Sequence, residues 1–375
     1  MGILKELTKE YFGEKVRKED EINIDGLDVE IVPFTDKNGK KHKKGYKPKN
    51  AYILKKLLKR MIEVRGDEGD FNDIDTSDIK NMATLFKENE TFNGDISGWD
   101  ISRVKNMGYM FEGAKSFNQD ISKWEFPEVT NMEGMFKKAE SFNQPIGDWE
   151  FPEVTNMDNM FEGATSFNQK IGNWEFPNVK YMGSMFEGAT SFNQKIGDWK
   201  FPNVEVMESM FKGATSFNQP IGNWEFPNVK DMSHMFEDAT SFNQPIGDWK
   251  FPVVKKMNSM FKGATSFNQS ISNWKFPNVE DMNCMFEGAT SFNQPIGDWK
   301  FPKVKYMNNM FNGATSFNQP IGDWEFPNVE FMESMFKDAT SFDQDLSKWD
   351  LSNITNKEKN FENCPIKDEY KPKMK

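Results

Sequence analysis

Two cysteines and two histidines are all that the 375 residues contain. Cys284 and Cys364 lie far apart, and His42 and His234 fall in different kinds of segment, so neither a disulfide framework nor a zinc site is expected. Leucine is scarce as well, with nine residues and none between Leu85 and Leu346. No stretch approaches the roughly 18 consecutive apolar residues of a membrane-spanning helix. Met1 to Glu10 carries charges where a signal peptide would be apolar, so the chain as written reads as soluble, untargeted and cytoplasmic. Hydrophobic residues make up only 37%, yet 36 Phe, 24 Met and 11 Trp are too many large apolar side chains for a disordered chain.

What is present is a repeat. All 11 tryptophans stand 25 residues apart, from Trp99 through Trp124 to Trp349, without a slip. The same period carries Phe92 to Phe342, Ile96 to Ile321, Met107 to Met332, Met110 to Met335, Phe86 to Phe361 and Phe126 to Phe326. Repetition of this kind decides the fold. Within the unit Ile121 to Phe142 two spacings occur. Trp124 and Phe126 share one face of a predicted strand. Val129, Met132, Met135, Phe136, Ala139 and Phe142 form the stripe of a short amphipathic helix, entered after Pro127.

One unit cannot bury its own apolar face, so neighbours must stack, with strands in parallel about 4.8 Å apart and a total length on the order of 50 Å. The fold class expected is an α/β repeat solenoid with strand, turn, short helix and turn in each unit. Residues 1–66 form a small α+β N-terminal cap, 67–356 the solenoid, and 357–375 a C-terminal cap and tail. The Asn after each repeat Phe, Asn93 to Asn318, is placed to form a ladder whose amides satisfy backbone groups of adjacent turns. At the ends, Lys357 and Asn360 replace Met and are expected to show polar atoms to water. Ile74 stands in the Trp column and Leu85 in a Met column, as a capping half-unit would.

Unit after unit reads M-F-x-G-A-T-S-F-N-Q-x-I-x-x-W-x-F-P-x-V-x-x-M, as in Met185 to Met207. Over residues 67 to 364 this resembles the 25-residue repeat of BspA-like surface proteins and mycoplasma-type lipoproteins, a distant branch of the leucine-rich repeats. It departs from them in placing Ile, Trp, Phe and Met where Leu is usual. The resemblance implies a right-handed solenoid with a parallel sheet on one face, and a bacterial, surface-exposed protein that binds partners rather than catalyses.

Residues 1 to 66 do not repeat and carry 17 Lys plus Arg against 11 Asp plus Glu, opposite in sign to the chain's net charge of −11. Asp25-Gly26, flanked by Ile22, Ile24, Leu27, Val29 and Ile31, predicts a hairpin, and Asn38-Gly39 a second turn. Asn50 caps a predicted helix from Ala51 to about Val64. The basic run Lys37 to Arg65 reads as a solvated face attracted to the acidic solenoid, since no nucleic-acid motif accompanies it.

Catalytic chemistry finds no constellation. Nothing converges on His234, Cys284 or Cys364. Paired methionines such as Met132 and Met135 read as core packing rather than a copper site. The acidic run Asp67 to Asp78 fits no calcium-loop frame. No enzyme activity and no cofactor is therefore expected.

Variation among units is confined to exposed columns. Between Trp and Phe stand Glu125, Glu150, Glu175, Lys200, Glu225, Lys250, Lys275, Lys300 and Glu325, in which Lys250, Lys275 and Lys300 form a candidate anion-facing patch on the predicted sheet. Just before the first Met, on the predicted helix face, stand residues that include Tyr181, Val206, Tyr306 and Phe331, which suit contact hot spots. The expectation is a monomeric, non-enzymatic scaffold that binds a protein partner through these columns. A self-assembling structural component is the rival, and a glycan-binding module a more distant one.

Overall fold

The computed structural model describes residues 22–35 and 39–373. β1 (Val29–Thr35) and β2 (Lys41–Pro48) pair antiparallel, and α1 (Ala51–Arg65) follows. Asn50 caps α1 as predicted: its side-chain oxygen accepts the Ile53 N–H at 3.0 Å, and Leu54, Leu57, Leu58 and Met61 face the core. The hairpin is placed differently from expectation. Asp25-Gly26 makes only a local turn, closed by Leu27 N–H on Ile24 O at 2.9 Å and by Asn23 on the Asp25 N–H. The strands instead flank Asn38-Gly39, of which residues 36–38 lie outside the described part.

From residue 67 the chain winds in coils of 25 residues, and neither element predicted for the unit forms. The Trp segment is a turn rather than a strand, and Val129 to Phe142 is a run of consecutive turns rather than a helix. Every second N–H along that run reaches the next coil. In one central coil Met207 donates to Asp231 O at 3.0 Å, Ser209 to Ser233 O at 2.8 Å, Phe211 to Met235 O at 2.9 Å and Gly213 to Glu237 O at 2.7 Å. The intervening N–H groups close turns within the coil, Lys212 on Ser209 O and Ala214 on Phe211 O, both at 3.0 Å. The same pattern recurs in each coil from Met82 to Met332.

This alternation needs a left-handed residue at two places in each coil, here Ser209 at φ 57 and Gly213 at φ 65. Serial left-handed residues are incompatible with a right-handed helix. The stripe of Met and Phe is therefore buried by turns of similar spacing. The column that includes Tyr181 and Tyr306, predicted on a helix face, is instead a continuous run of parallel bridges from Asn81 to Asn356. We call this side the ladder face.

Opposite it lies the aromatic core. Every Trp is buried, and successive indoles lie parallel, Trp199 on Trp224 at 6.3 Å and 4°. Phe226 meets the next indole, Trp249, edge-on at 4.8 Å. The predicted Asn ladder is present: Asn243 N–H and Gln244 Nε2 both donate to Asn218 Oδ1 at 3.0 Å, one coil earlier.

Both ends are covered on the Trp side. At the N-terminal end β2 runs beside the first coil, with Tyr46 N–H on Asp73 O at 2.8 Å and Asp75 N–H on Tyr46 O at 2.9 Å. Arg65 pairs with Asp73 at 2.7 Å and Lys47 with Asp78 at 2.9 Å, so part of the basic run fastens the cap to the acidic first coil. At the other end the tail folds back, Leu346 N–H donating to Tyr370 O at 2.8 Å beside a short 3-10 turn at Asp368–Tyr370. Asn360 does not face water as expected. It is buried, and its Oδ1 accepts the Met335 N–H at 3.0 Å, while the half-buried Lys357 donates to Leu351 O at 3.2 Å. Among the described residues no helix is long and apolar enough to cross a membrane.

Candidate functional site

On the ladder face, side chains just before the first Met point outward because the Met that follows is buried and neighbouring residues of an extended bridge alternate sides. Tyr181 and Tyr306 are 42% and 38% exposed, the largest exposures of any aromatic in the repeats. Val206 and Phe331 are half-buried. The Phe331 ring stacks on Tyr306 from the next coil at 5.4 Å and 17°. Backbone hydrogen bonds fix both residues, Met282 N–H on Tyr306 O and Met307 N–H on Phe331 O at 2.9 Å each. The pair is thus a rigid apolar patch on an otherwise polar surface.

The same face carries a charge ladder that the sequence reading missed. Lys137 pairs with Glu162 at 2.5 Å, Lys262 with Glu287 and Lys337 with Glu362 at 3.4 Å, always between adjacent coils. Each such pair is worth less than about 1 kcal/mol at a surface. Alternating signs in one column were the available signal.

Lys250, Lys275 and Lys300 lie at the turn after Trp, not on a sheet, because that segment forms no strand. All three are exposed, and among the described residues none pairs with a carboxylate. Lys250 lines a shallow groove of about 620 Å³ with Lys200, Glu225 and Asp248, and Lys200 continues it into a second of about 300 Å³ beside Asp198. Lys275 and Lys300 belong to neither groove.

The reactive residue types are engaged elsewhere. His234 Nδ1 meets Glu237 at 2.5 Å and its Nε2 meets Asn258 at 3.1 Å, which holds the ring in place. Burial, then a hydrogen bond to Glu287, pushes the Cys284 thiol up to about 12, which keeps it protonated at neutral pH. Cys364 is likewise raised by burial. Asp158, half-buried on the ladder face, is pushed up to about 6 by burial, with Glu133 and Glu208 adding to the effect against a 2.6 Å hydrogen bond from Gly183 N–H. Tyr109, whose hydroxyl is bonded to Glu133, is raised by burial and by that contact. Among the described residues no group of His, Cys, Asp and Glu is arranged to hold a metal ion.

A regular stack of 25-residue coils, an aromatic core and an outward column that varies from coil to coil define a tandem-repeat solenoid. The family model described as a Mycoplasma protein of unknown function, DUF285, matches three successive stretches, residues 55–174, 162–274 and 255–371. The chain belongs to this family. No curated protein matches it in sequence.

Proposed function

We propose that the chain is a non-enzymatic scaffold that binds a protein partner through the ladder face, with Tyr181, Val206, Tyr306 and Phe331 as its contact residues. The observation that carries this reading is the Tyr306–Phe331 stack, aromatic surface held rigid and partly exposed in repeats whose Trp and core Phe columns are buried. Rigid aromatic anchors lose little conformational entropy on binding and dominate contact energies. The resemblance of the repeat unit to BspA-like surface proteins supports a surface-exposed, partner-binding role, and a distant leucine-rich-repeat kinship belongs to the same reading. Glycan binding through the tryptophans is disfavoured, since their faces lie against one another in the core.

The unpaired column Lys250, Lys275 and Lys300 favours a second reading, contact with an acidic surface. The two separate by capture from an extract of the source organism. The immobilised chain should retain a partner that the Tyr181, Tyr306 and Phe331 triple change to Ser releases. Retention by that variant, with loss on charge reversal of the three lysines, would move the site to the turn after Trp.

A further inference from the structure

Along the run that begins at the first Met of each coil, hydrogen bonds between coils on the ladder face run in one direction. N–H groups of each coil donate to carbonyls of the next coil toward the C-terminus. The two ends of the stack therefore differ in kind. In the last coil the N–H groups of Lys357, Lys359, Phe361 and Asn363 stand where those of Met332, Ser334, Phe336 and Asp338 donate one coil earlier, and no described group accepts them. In the first coil the carbonyls of Asn81, Ala83, Leu85 and Lys87 occupy the acceptor positions and receive no described donor. Beside these rows the direction reverses once: Thr355 O is an unused acceptor at one end and Lys80 N–H an unused donor at the other.

An edge of this type is not matched by an ordinary β-strand. A regular strand alternates N–H and C=O along its edge. Against four donors at every second residue its own N–H groups would be left without acceptors. What fits is a row of carbonyls at the same spacing, which is the edge of another coil of the same kind. The first coil of a second copy supplies that row, together with the Lys80 N–H for Thr355 O.

Side chains at the two ends are complementary as well. Phe361 is half-buried and stacks on Phe336 on one side only, at 5.9 Å. Its counterpart in the first coil, Phe86, floors a cleft of about 480 Å³ with Leu85, under α1 residues Tyr52, Leu58 and Ile62 and lined also by Lys55, Lys56 and Lys59. Docking the last coil on the first would bring Phe361 to the mouth of that cleft, beside Leu85, Phe86 itself being buried. β2 at one end and the tail at the other sit on the Trp side, which leaves the ladder face open at the last coil. At the first coil α1 overhangs Leu85 and Phe86 and Lys55 Nζ donates to Thr84 O at 3.3 Å, while Asn81 and Lys87 remain exposed. Lys357 and Asn360, polar residues in the Met columns, restrict the apolar part of the contact to Phe361 and make it weak.

We infer that two copies of this chain associate head to tail, the Lys357–Asn363 donor edge and Phe361 of one seating on the Asn81–Lys87 acceptor edge and the Phe86 cleft of the other. Such a contact is heterologous: each copy keeps one free end, so association continues with concentration instead of closing as a dimer.

Sedimentation velocity on the full chain over a dilution series up to about 100 μM tests this, a range that reveals even weak specific contacts. The wild-type chain should sediment faster as concentration rises. Phe361→Lys blocks one end, by setting a cation against the lysines of the cleft, and Tyr52→Lys the rim of the other, Tyr52 being 65% exposed. Each variant alone should associate about tenfold more weakly or worse. Their equimolar mixture should form a one-to-one dimer and stop, since one intact edge of each type remains. Concentration-independent sedimentation of the wild type would overturn the inference, as would undiminished association of both variants. A mixture that stays monomeric would also overturn it, by showing that the contact is not head to tail.

Discussion

The indole Nε1–H of Trp224 donates to the backbone carbonyl of Ile196 at 3.0 Å, reaching from one coil into the coil before it. The same bond is made by Trp174, Trp199, Trp249 and the tryptophans beyond them. Trp124 and Trp149 are the exceptions, their indole N–H groups being buried without an acceptor. Each indole is therefore a packing element, and in most coils also a bolt between neighbours.

Trp224→Ala should cost about 3–5 kcal/mol, because it removes a large ring from a close-packed stack. Trp224→Phe, which also strands the Ile196 carbonyl, should cost about 1 kcal/mol more than Trp124→Phe, where no hydrogen bond is lost. Thermal melts of the three variants check both. A melting point unmoved by Trp224→Ala would place the tryptophans outside the core.

Asn218 accepts two donors from the next coil, Asn243 N–H and Gln244 Nε2. Asn218→Ala leaves both partners half-buried without an acceptor, at a cost of about 1–3 kcal/mol. Denaturant unfolding measures it. Because coils contact only their neighbours, the loss should appear first as local opening around residues 218–244, read by amide hydrogen exchange.

Lys138 sits at φ 55, in the column that Gly113, Gly163 and Gly188 occupy in nearby coils. A side chain in that conformation carries a strain of about 1–2 kcal/mol that glycine avoids. Lys138 is exposed, so its side chain has little buried surface to lose. Lys138→Gly should therefore stabilise by on the order of 1 kcal/mol, although glycine is ordinarily destabilising. A lower melting point would contradict the left-handed assignment.

Much of this architecture was legible in the spacing of residues. The unbroken Trp series gave the stack, the buried columns and the register, and the Asn after each repeat Phe correctly announced a ladder. The local path was not legible. The spacing of Val129, Met132, Met135, Phe136 and Ala139 satisfies a helix and a chain of turns equally well, since both return a side chain to the same face after three or four residues. Glycine in the column of Gly113 and Gly163, a residue tolerant of positive φ, was the discriminating signal. For the site, exposure of Tyr181 and Tyr306 could be anticipated from their variable column, whereas the stacking of Phe331 on Tyr306 depends on coil offset and backbone path that spacing does not encode.

Asp158 gives the protein a pH dependence of defined sign. Its folded pKa of about 6 lies above the ordinary 3.8, so the fold prefers the protonated form. That contribution is fully present below pH 3.8 and is lost as pH rises through 6. Asp158→Asn keeps an oxygen for the Gly183 N–H and removes the charge. It should raise stability at pH 8 by on the order of 1–2 kcal/mol, after allowance for partial exposure, and change little at pH 4. Melting curves at the two pH values decide it. An equal effect at both would show that the carboxyl is not titrating in this range.

The most direct test of the binding account is the affinity of an isolated partner for the wild-type chain and for the Tyr181, Tyr306 and Phe331 triple change to Ser, measured by calorimetry beside the charge reversal of Lys250, Lys275 and Lys300. Lost anchors are worth on the order of 1–2 kcal/mol each, so the aromatic triple should bind at least about a hundredfold more weakly. Its melting point should stay nearly that of the wild type, and the lysine variant should bind almost normally. Unchanged affinity in the aromatic triple would contradict the account, whatever the lysine variant does.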